Sequence, residues 1–393
     1  MRKSLFPVVA LLAFAACTKV TPVPVSDARQ EISFEVANYL PTKANVKYDT
    51  SVPFGTYAWF NNGSGTAQDF MVNETVGFVG GVWKTTVNAF YWPKTGDIDF
   101  ISYSPFAGTN GNRPAASAGA ANGTASSPAA PEPVITRVKD KDYTFEYNNY
   151  QVALDSYDLL YADWANAKSN VNAVNDGVDS GYEGVPTLFH HALTKLGFEI
   201  RAFFVEYPAE NPDTFWEMTL KSAKLEGIYD TGSLKLTMDD AQGWVKPDGG
   251  VWTPDETAPK REITLYEIPA GGTGMKITKE YQPLLADFYV LPQLLGTSTA
   301  NAPAQKLHLA FHIKTTLSSG AVITEDYEKS FDISALTRTQ SKAWQMNQYI
   351  RYKVSIKPTS GDPNDPTPED VLITFDPAVE GWDEVTTAAV ISI

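Results

Sequence analysis

The chain has 393 residues, a net charge of −15 and an isoelectric point near 4.7. Phosphate recognition depends on clustered Lys and Arg, and the sequence has no such cluster, which argues against nucleic acid as a partner. The aromatic content of 12%, with 27 Gly and 26 Pro that punctuate the chain at short intervals, predicts many short strands separated by turns. Such a pattern is typical of an all-β protein.

The chain begins with a short apolar segment that is typical of an export signal. Two cations precede an apolar run from Leu5 to Phe14, and two alanines then lead to a cysteine. A membrane-spanning helix needs roughly 20 apolar residues, so residues 1–16 are predicted to be a signal peptide that does not span. Cys17, the only cysteine, stands where a lipid-accepting thiol would follow such a signal. An ordinary signal peptide with an incidental Cys17 is the alternative.

Composition also divides the rest of the chain. Residues 17–30 are polar and contain proline, as expected of a tether that follows an anchor. One β-sandwich is predicted over residues 31–183 and a second over residues 184–393. Residues 108–133 contain almost no large apolar side chain and are predicted to form a flexible loop within the first domain. The Asn-, Asp- and Gly-rich segment 163–184 is predicted to be a loop that ends at the boundary.

Two segments near the ends of the chain share an apolar alternation. In the early segment ISFEVANYL, Ile32, Phe34 and Val36 recur with the period of two that marks a half-buried strand. A sandwich without its first strand exposes an apolar groove and unpaired backbone groups, which an extended strand from a neighbour can fill. Such a contact is head-to-tail, so its repetition gives a filament. The uncharged C-terminal strand, residues 385–393, is predicted to be this donor through Val385, Thr387, Ala389, Ile391 and Ile393.

The histidines form no catalytic or metal-binding pattern. His308 and His312 have the spacing of a zinc pair on a helix, but KLHLAFHIK alternates as a strand, which places them about 13 Å apart on its outer face. His190 and His191 lack a Glu at metalloprotease spacing. Nucleophile-elbow and nucleotide-binding motifs are absent from the sequence. We therefore expect no enzymatic activity, no cofactor and no metal site.

Several blocks occur in a fixed order over nearly the whole chain: ISFEVANYLPTKA, NAFYWPKTGDIDFISYSP, YDLLYA, VPTLFHHALTKLGFEI, FYVLPQ, WQMNQYIRYKVSI and ITFDPAVEGW. Together with Cys17, these blocks resemble the fimbrillin-like family of Bacteroidetes surface lipoproteins, which are the pilins and accessory subunits of type V pili. The resemblance implies two tandem transthyretin-like β-sandwich domains and a lipid anchor in the outer membrane. It also implies a cell-surface fimbria, built from neighbouring pilin subunits, that supports adhesion to a host or bacterial ligand.

The resemblance further implies that a protease removes the first strand, residues 31–43. By position, the cut falls between Lys43 and Ala44, because the family is cut after a basic residue that follows this strand. An Arg-specific protease is expected for shaft pilins, whereas this chain has Lys. Arg29 is the nearest arginine, but a cut there would leave the strand in place. The alternative function is a surface lipoprotein that binds glycans through exposed Trp or Tyr without polymerising, or an anchor or tip subunit.

Overall fold

The computed structural model describes residues 30–38, 46–63, 67–107, 132–139, 142–154, 156–169, 184–202, 215–239, 243–247, 250–296, 304–317, 319–337, 342–359 and 370–379. Within these ranges the chain is almost entirely extended, and the one helix is a single turn, α1 (Ile333–Leu336). The all-β class expected from composition is confirmed. In the described part of the chain, no helix has the length and apolarity needed to cross a membrane.

The strands before residue 184 are β1 (Ser33–Asn38), β2 (Val46–Lys47), β3 (Phe54–Asn61), β4 (Gln68–Val79), β5 (Val82–Thr85), β6 (Asp97–Ser104), β7 (Val134–Lys139), β8 (Asp142–Gln151), β9 (Leu160–Ala162) and β10 (Ala165–Lys168). Those after it are β11 (Val185–His191), β12 (Thr194–Ala202), β13 (Phe215–Ile228), β14 (Thr231–Asp239), β15 (Gly243–Val245), β16 (Thr253–Pro254), β17 (Arg261–Glu267), β18 (Met275–Ile277), β19 (Gln282–Pro283), β20 (Phe288–Val290), β21 (Gln293–Leu294), β22 (Lys306–Thr316), β23 (Val322–Asp332), β24 (Ala343–Trp344), β25 (Gln348–Thr359) and β26 (Asp370–Val379).

The first sheet closes on itself through the short strand β9. Its strands follow the order β10, β6, β3, β4, β5, β1, β11, β9, and β9 also pairs with β6 through Tyr161 and Tyr103. This second pairing joins β6, β3, β4, β5, β1, β11 and β9 in a ring. A closed sheet encloses its own inner face, so this part of the chain differs from the open sandwich sheet that the alternation suggests. We call these seven strands the closed sheet.

Alternation along the strands sorts side chains between the inside and the outside of the closed sheet. In β6, Ile98 and Phe100 belong to the enclosed apolar core. Ile101 and Tyr103 of the same strand belong to a different core on the outer face. Both faces of β6 are therefore buried, which explains why its sequence, DIDFISYS, is apolar at nearly every position.

The outer face is buried because a second sheet packs against it. This sheet contains β7, β8, β14, β15 and β16, and β8 pairs antiparallel with β14. Tyr143 of β8 and Leu234 of β14 share one core with Tyr103 of the closed sheet. Strands from both sides of residue 184 therefore lie in the same sheet and the same core.

Two tryptophans from the chain after residue 184 attach this second sheet to the closed sheet and its neighbours. The indole nitrogen of Trp244 donates a 2.8 Å hydrogen bond to the carbonyl of Ala162. That of Trp252 donates a 2.8 Å bond to the carbonyl of Ala192, and its ring stacks on Tyr147 with centroids 5.9 Å apart. Each indole therefore buries its apolar body while its single donor is satisfied.

Two further sheets face each other with one apolar core between them, and β21 and β24 form a separate two-stranded sheet. One contains β19, β12, β25, β26 and β20, and the other contains β17, β13, β22, β23 and β18. In β22, Leu307, Leu309 and Phe311 are buried in this core, and the alternation predicted for KLHLAFHIK is confirmed. His308 and His312 consequently lie on the outer face of the sheet, where both are half-buried.

The described part of the segment 163–184, predicted to be a loop, contains one strand. β10 pairs with β6, and the carboxylate of Asp99 accepts a 2.8 Å hydrogen bond from the backbone nitrogen of Ala167. Tertiary partners thus order a sequence whose composition favours a loop. The signal peptide 1–16, most of the tether and most of the loop 108–133 lie outside the described residues.

Replacing Trp252 by Ala is expected to lower the free energy of unfolding by about 3–5 kcal/mol. The change removes a fully buried ring, its stack on Tyr147 and the hydrogen bond to Ala192. Chemical denaturation followed by tryptophan fluorescence and circular dichroism would measure it. Leu294→Ala is the matched control, since Leu294 is 62% exposed and its loss should cost less than about 0.5 kcal/mol. Equal effects would contradict the packing described for Trp252.

Candidate strand-exchange groove around the first strand

Strand β1 is an internal strand of the closed sheet. It pairs in parallel with β11, from Phe34 opposite Val185 to Asn38 opposite Phe189. On its other edge it pairs antiparallel with β5 at its beginning and with β2 at its end. Its residues thus have neighbouring strands on both edges, and we call the space between β11 on one side and β5 and β2 on the other the β1 groove.

The inward side chains of β1, and that of Ile32 directly before it, are completely enclosed. Ile32, Phe34 and Val36 are each 1% exposed, as the period-two alternation predicts. The ring of Phe34 meets two other rings edge-on, with its centroid 5.6 Å from that of Phe54 and 5.7 Å from that of Phe100. These partners come from β3 and β6, which are not hydrogen-bonded to β1. Phe34 therefore reaches across the enclosed core.

The opposite face of β1 is also buried. Glu35 is 3% exposed and Ala37 is 2% exposed, and in a strand they point away from Phe34 and Val36. Just before the strand, the ammonium group of Lys84 donates a 3.1 Å hydrogen bond to the carboxylate of Glu31. Both side chains of this ion pair are about one-third exposed. A pair this exposed adds little stability, so packing and the backbone ladders retain β1 in place.

Gly184 packs directly on the backbone of β1. A Cβ added to this residue would lie 2.8 Å from the carbonyl carbon and oxygen of Ser33 and 2.9 Å from the carbonyl carbon of Phe34. Such a contact is too close for any side chain, and the obstructing atoms are backbone. A glycine is therefore required here while β1 is in place. The sequence analysis missed this residue, because a glycine at a predicted loop end carries no signal of close approach.

Tyr48, directly after β2, is buried in the same core as the inward residues of β1. It is 3% exposed, its ring lies 5.4 Å from Trp83 and 5.0 Å from Phe189, and its hydroxyl is hydrogen-bonded to Ser104. Burial raises the pKa of Tyr48 above its ordinary value, so the hydroxyl stays protonated. Withdrawal of β1 would leave these rings facing an open slot.

The geometry defines what loss of β1 would do. Adjacent strands lie about 4.8 Å apart, so β11 and the β5–β2 edge would be left about 10 Å apart, with unpaired backbone groups on both sides. The apolar core against Phe34 and Val36 would be exposed along that slot. One extended segment with inward apolar side chains would restore both the ladders and the core.

The predicted processing and donor residues are not among those described. Lys43 and Ala44 fall in the connection 39–45 between β1 and β2, whose described ends, Asn38 and Val46, are paired with each other. Cys17 and Arg29 precede the first described residue. The structure likewise describes nothing of the donor residues Val385, Thr387, Ala389, Ile391 and Ile393, and the last described strand is β26.

The buried histidines make structural contacts. The imidazole of His190 lies 2.8 Å from a carboxylate oxygen of Asp163, and that of His191 lies 2.8 Å from one of Asp158. His308 pairs with Glu226 at 2.9 Å on the sheet surface. Within the described ranges, no group of three His, Cys, Asp or Glu side chains is placed to hold a metal ion.

Tryptophan side chains do not form an exposed platform on the described part of the chain. Six are buried: Trp59, Trp83, Trp92, Trp244, Trp252 and Trp344. Trp164 and Trp216 are half-buried and pack against the apolar cores. Core packing therefore accounts for the described tryptophans, in agreement with their apolar sequence contexts.

A family model described as fimbrillin-like matches residues 42–382. The chain belongs to the fimbrillin-like family. The match covers most of the chain, and the resemblance found in the sequence blocks is confirmed. The chain has no significant match among curated protein sequences.

Solved structures of bacterial fimbrial and adhesion proteins match this chain. A fimbrial protein from Bacteroides vulgatus matches with a TM-score of 0.52 and 16% identity, over 90% of this chain and 99% of that one. A cell adhesion protein from Bacteroides uniformis, with 16% identity, matches over 90% of this chain and 98% of its own, at a TM-score of 0.41. The tip fimbrial protein Mfa3 from Porphyromonas gingivalis, with 10% identity, matches over 88% and 99%, at a TM-score of 0.33. At 16% identity and a TM-score above 0.5, the first match shows a shared fold alone.

Replacing Gly184 by Ala is expected to destabilise the intact chain by about 1–3 kcal/mol, because the new methyl group collides with the backbone of β1. Relative to the unmodified chain, amide hydrogen exchange should be accelerated more in β1 than in β13. Gly296→Ala is the matched control, since a Cβ there meets no atom within 4 Å. If β1 exchanges at the same rate in the Gly184 variant as in the unmodified chain, the contact does not control how β1 opens.

Proposed function

We propose that this protein is a structural subunit of a cell-surface fimbria that assembles by strand exchange at the β1 groove. The observation that carries the proposal is that β1, the first strand of the described residues, is paired on both edges and buried on both faces. Its removal leaves a slot that only another extended strand can fill without unpaired backbone groups.

The C-terminal segment supplies a strand of suitable chemistry. Residues 385–393 read VTTAAVISI, carry no charge and place Val385, Thr387, Ala389, Ile391 and Ile393 on one face. A buried position tolerates such a segment, because charged side chains are costly to bury without partners. Insertion into the next subunit is head-to-tail, so repeated insertion gives a filament of pilin subunits.

Anchoring and maturation complete the proposal. Cys17 carries the lipid that attaches the precursor to the outer membrane, and a protease then cuts between Lys43 and Ala44. This cut separates β1 from β2, whereas a cut after Arg29 would leave β1 in the chain and the β1 groove filled. The fimbria supports adhesion to a host or bacterial surface. The proposal takes the closed sheet with the second sheet as one transthyretin-like β-sandwich domain and the facing pair of sheets as the other.

Deleting residues 385–393 is expected to abolish high-mass polymers sheared from the cell surface while leaving a folded monomer. Ile391→Asp should have the same effect, because it places a charge on the inward face of the donor strand. Ile391→Val is the matched control, since it keeps an aliphatic side chain at the same inward position. Gel analysis of sheared material in mild detergent would compare these variants. Normal polymers from the deletion variant would refute the donor assignment.

Replacing Lys43 by Gln is expected to leave the precursor uncut, with an acylated Cys17 as its N-terminus and no polymers. Mass spectrometry of the mature N-terminus would measure this, and the unmodified chain should begin at Ala44. Arg29→Gln serves as the control and should be processed normally. A mature N-terminus at residue 30, lost in the Arg29 variant, would move the cleavage site upstream of β1. An unmodified chain that stays monomeric and begins at Cys17 would instead indicate an anchor subunit.

A further inference from the structure

The β1 groove is shaped around one aromatic ring. Phe34 is the middle of three inward residues, Ile32, Phe34 and Val36, and it is 1% exposed. Phe54 and Phe100 meet it at interplanar angles of 85° and 86°, so both present T-shaped contacts. Aromatic pairs in this arrangement gain more than the area they bury. The centre of the groove therefore favours an aromatic side chain over an aliphatic one.

The proposed donor segment, residues 385–393, has no aromatic residue. Its largest side chains are Ile391 and Ile393, and the other inward positions are smaller. If three consecutive inward residues replace Ile32, Phe34 and Val36, the central position receives Thr387, Ala389 or Ile391, whichever register or direction is used. Each of these is smaller than Phe, so each would leave part of the core beside Phe54 and Phe100 unfilled.

We propose that the best-fitting occupant of the β1 groove is a strand from a different subunit, with an aromatic side chain at the central inward position. Aliphatic side chains would flank the aromatic one at two residues on either side, matching Ile32 and Val36. A small residue fits the buried outward position of Ala37. This inference rests on the proposed strand exchange and names the chemistry of the partner.

The proposal gives this subunit a defined place in an assembly. Its groove prefers an aromatic-bearing strand, while its own C-terminal strand fits a groove with an aliphatic centre. A chain whose two ends do not match each other joins two different neighbours, because a self-pairing would bury an unfilled cavity at every junction. The mismatch thereby favours mixed assembly over a filament of this subunit alone.

The test uses the full-length chain with a site-specific protease sequence inserted between Lys43 and Ala44. Cutting leaves β1 bound without a covalent link, and synthetic peptides then compete with it. The probes are residues 30–38, the same peptide with Phe34→Ile, residues 385–393, and three versions of that last peptide with Thr387→Phe, Ala389→Phe or Ile391→Phe. Native mass spectrometry measures how much of the original strand each probe displaces.

The residue 30–38 peptide is expected to bind at least about tenfold more tightly than its Phe34→Ile version. The loss of a packed aromatic ring commonly costs more binding free energy than a tenfold change in Kd represents. At least one Phe-containing C-terminal peptide should exceed the native C-terminal peptide by a similar factor. Equal binding by the native C-terminal peptide and the residue 30–38 peptide would overturn the inference and leave strand exchange intact. If no peptide displaces the original strand, both the exchange and the inference fail.

Discussion

The position of β1 in the closed sheet is the constraint on which the first half of this protein depends. A ring of strands has no free edge only while every strand is present. The inward side chains of β1 also complete an aromatic core, in which Phe34 meets Phe54 of β3 and Phe100 of β6. Losing this one strand therefore opens two edges and the core together. A strand that must be replaced when it is lost can serve as a point of assembly.

The remaining sheets lie outside the β1 groove. The second sheet covers the outside of the closed sheet and draws on strands from before and after residue 184. Trp244 and Trp252 attach it through buried indole hydrogen bonds, and the facing pair of sheets has its own core. None of the cores outside the closed sheet includes an inward residue of β1. We therefore expect these layers to persist while the occupant of the β1 groove changes.

Part of the groove was visible in the sequence, since the alternation of Ile32, Phe34 and Val36 predicts one buried face. The second buried face was not visible, because Glu35 is a polar residue whose burial depends on neighbours distant in the chain. Gly184 was missed for the same reason, as its close contact with Ser33 joins segments about 150 residues apart. Likewise, β10 lies within a polar segment and depends on its pairing with β6.

The sequence by itself determined the all-β class, the alternation of β1 and β22, and the fimbrillin-like family. These properties are local or additive along the chain, because period-two patterns and ordered blocks require no knowledge of which strands become neighbours. Only the tertiary structure decided that β9 closes the first sheet, that β8 pairs with β14 across residue 184, and that Phe34 meets Phe54 and Phe100. Strand neighbours depend on long-range packing, to which many alternating sequences are equally suited.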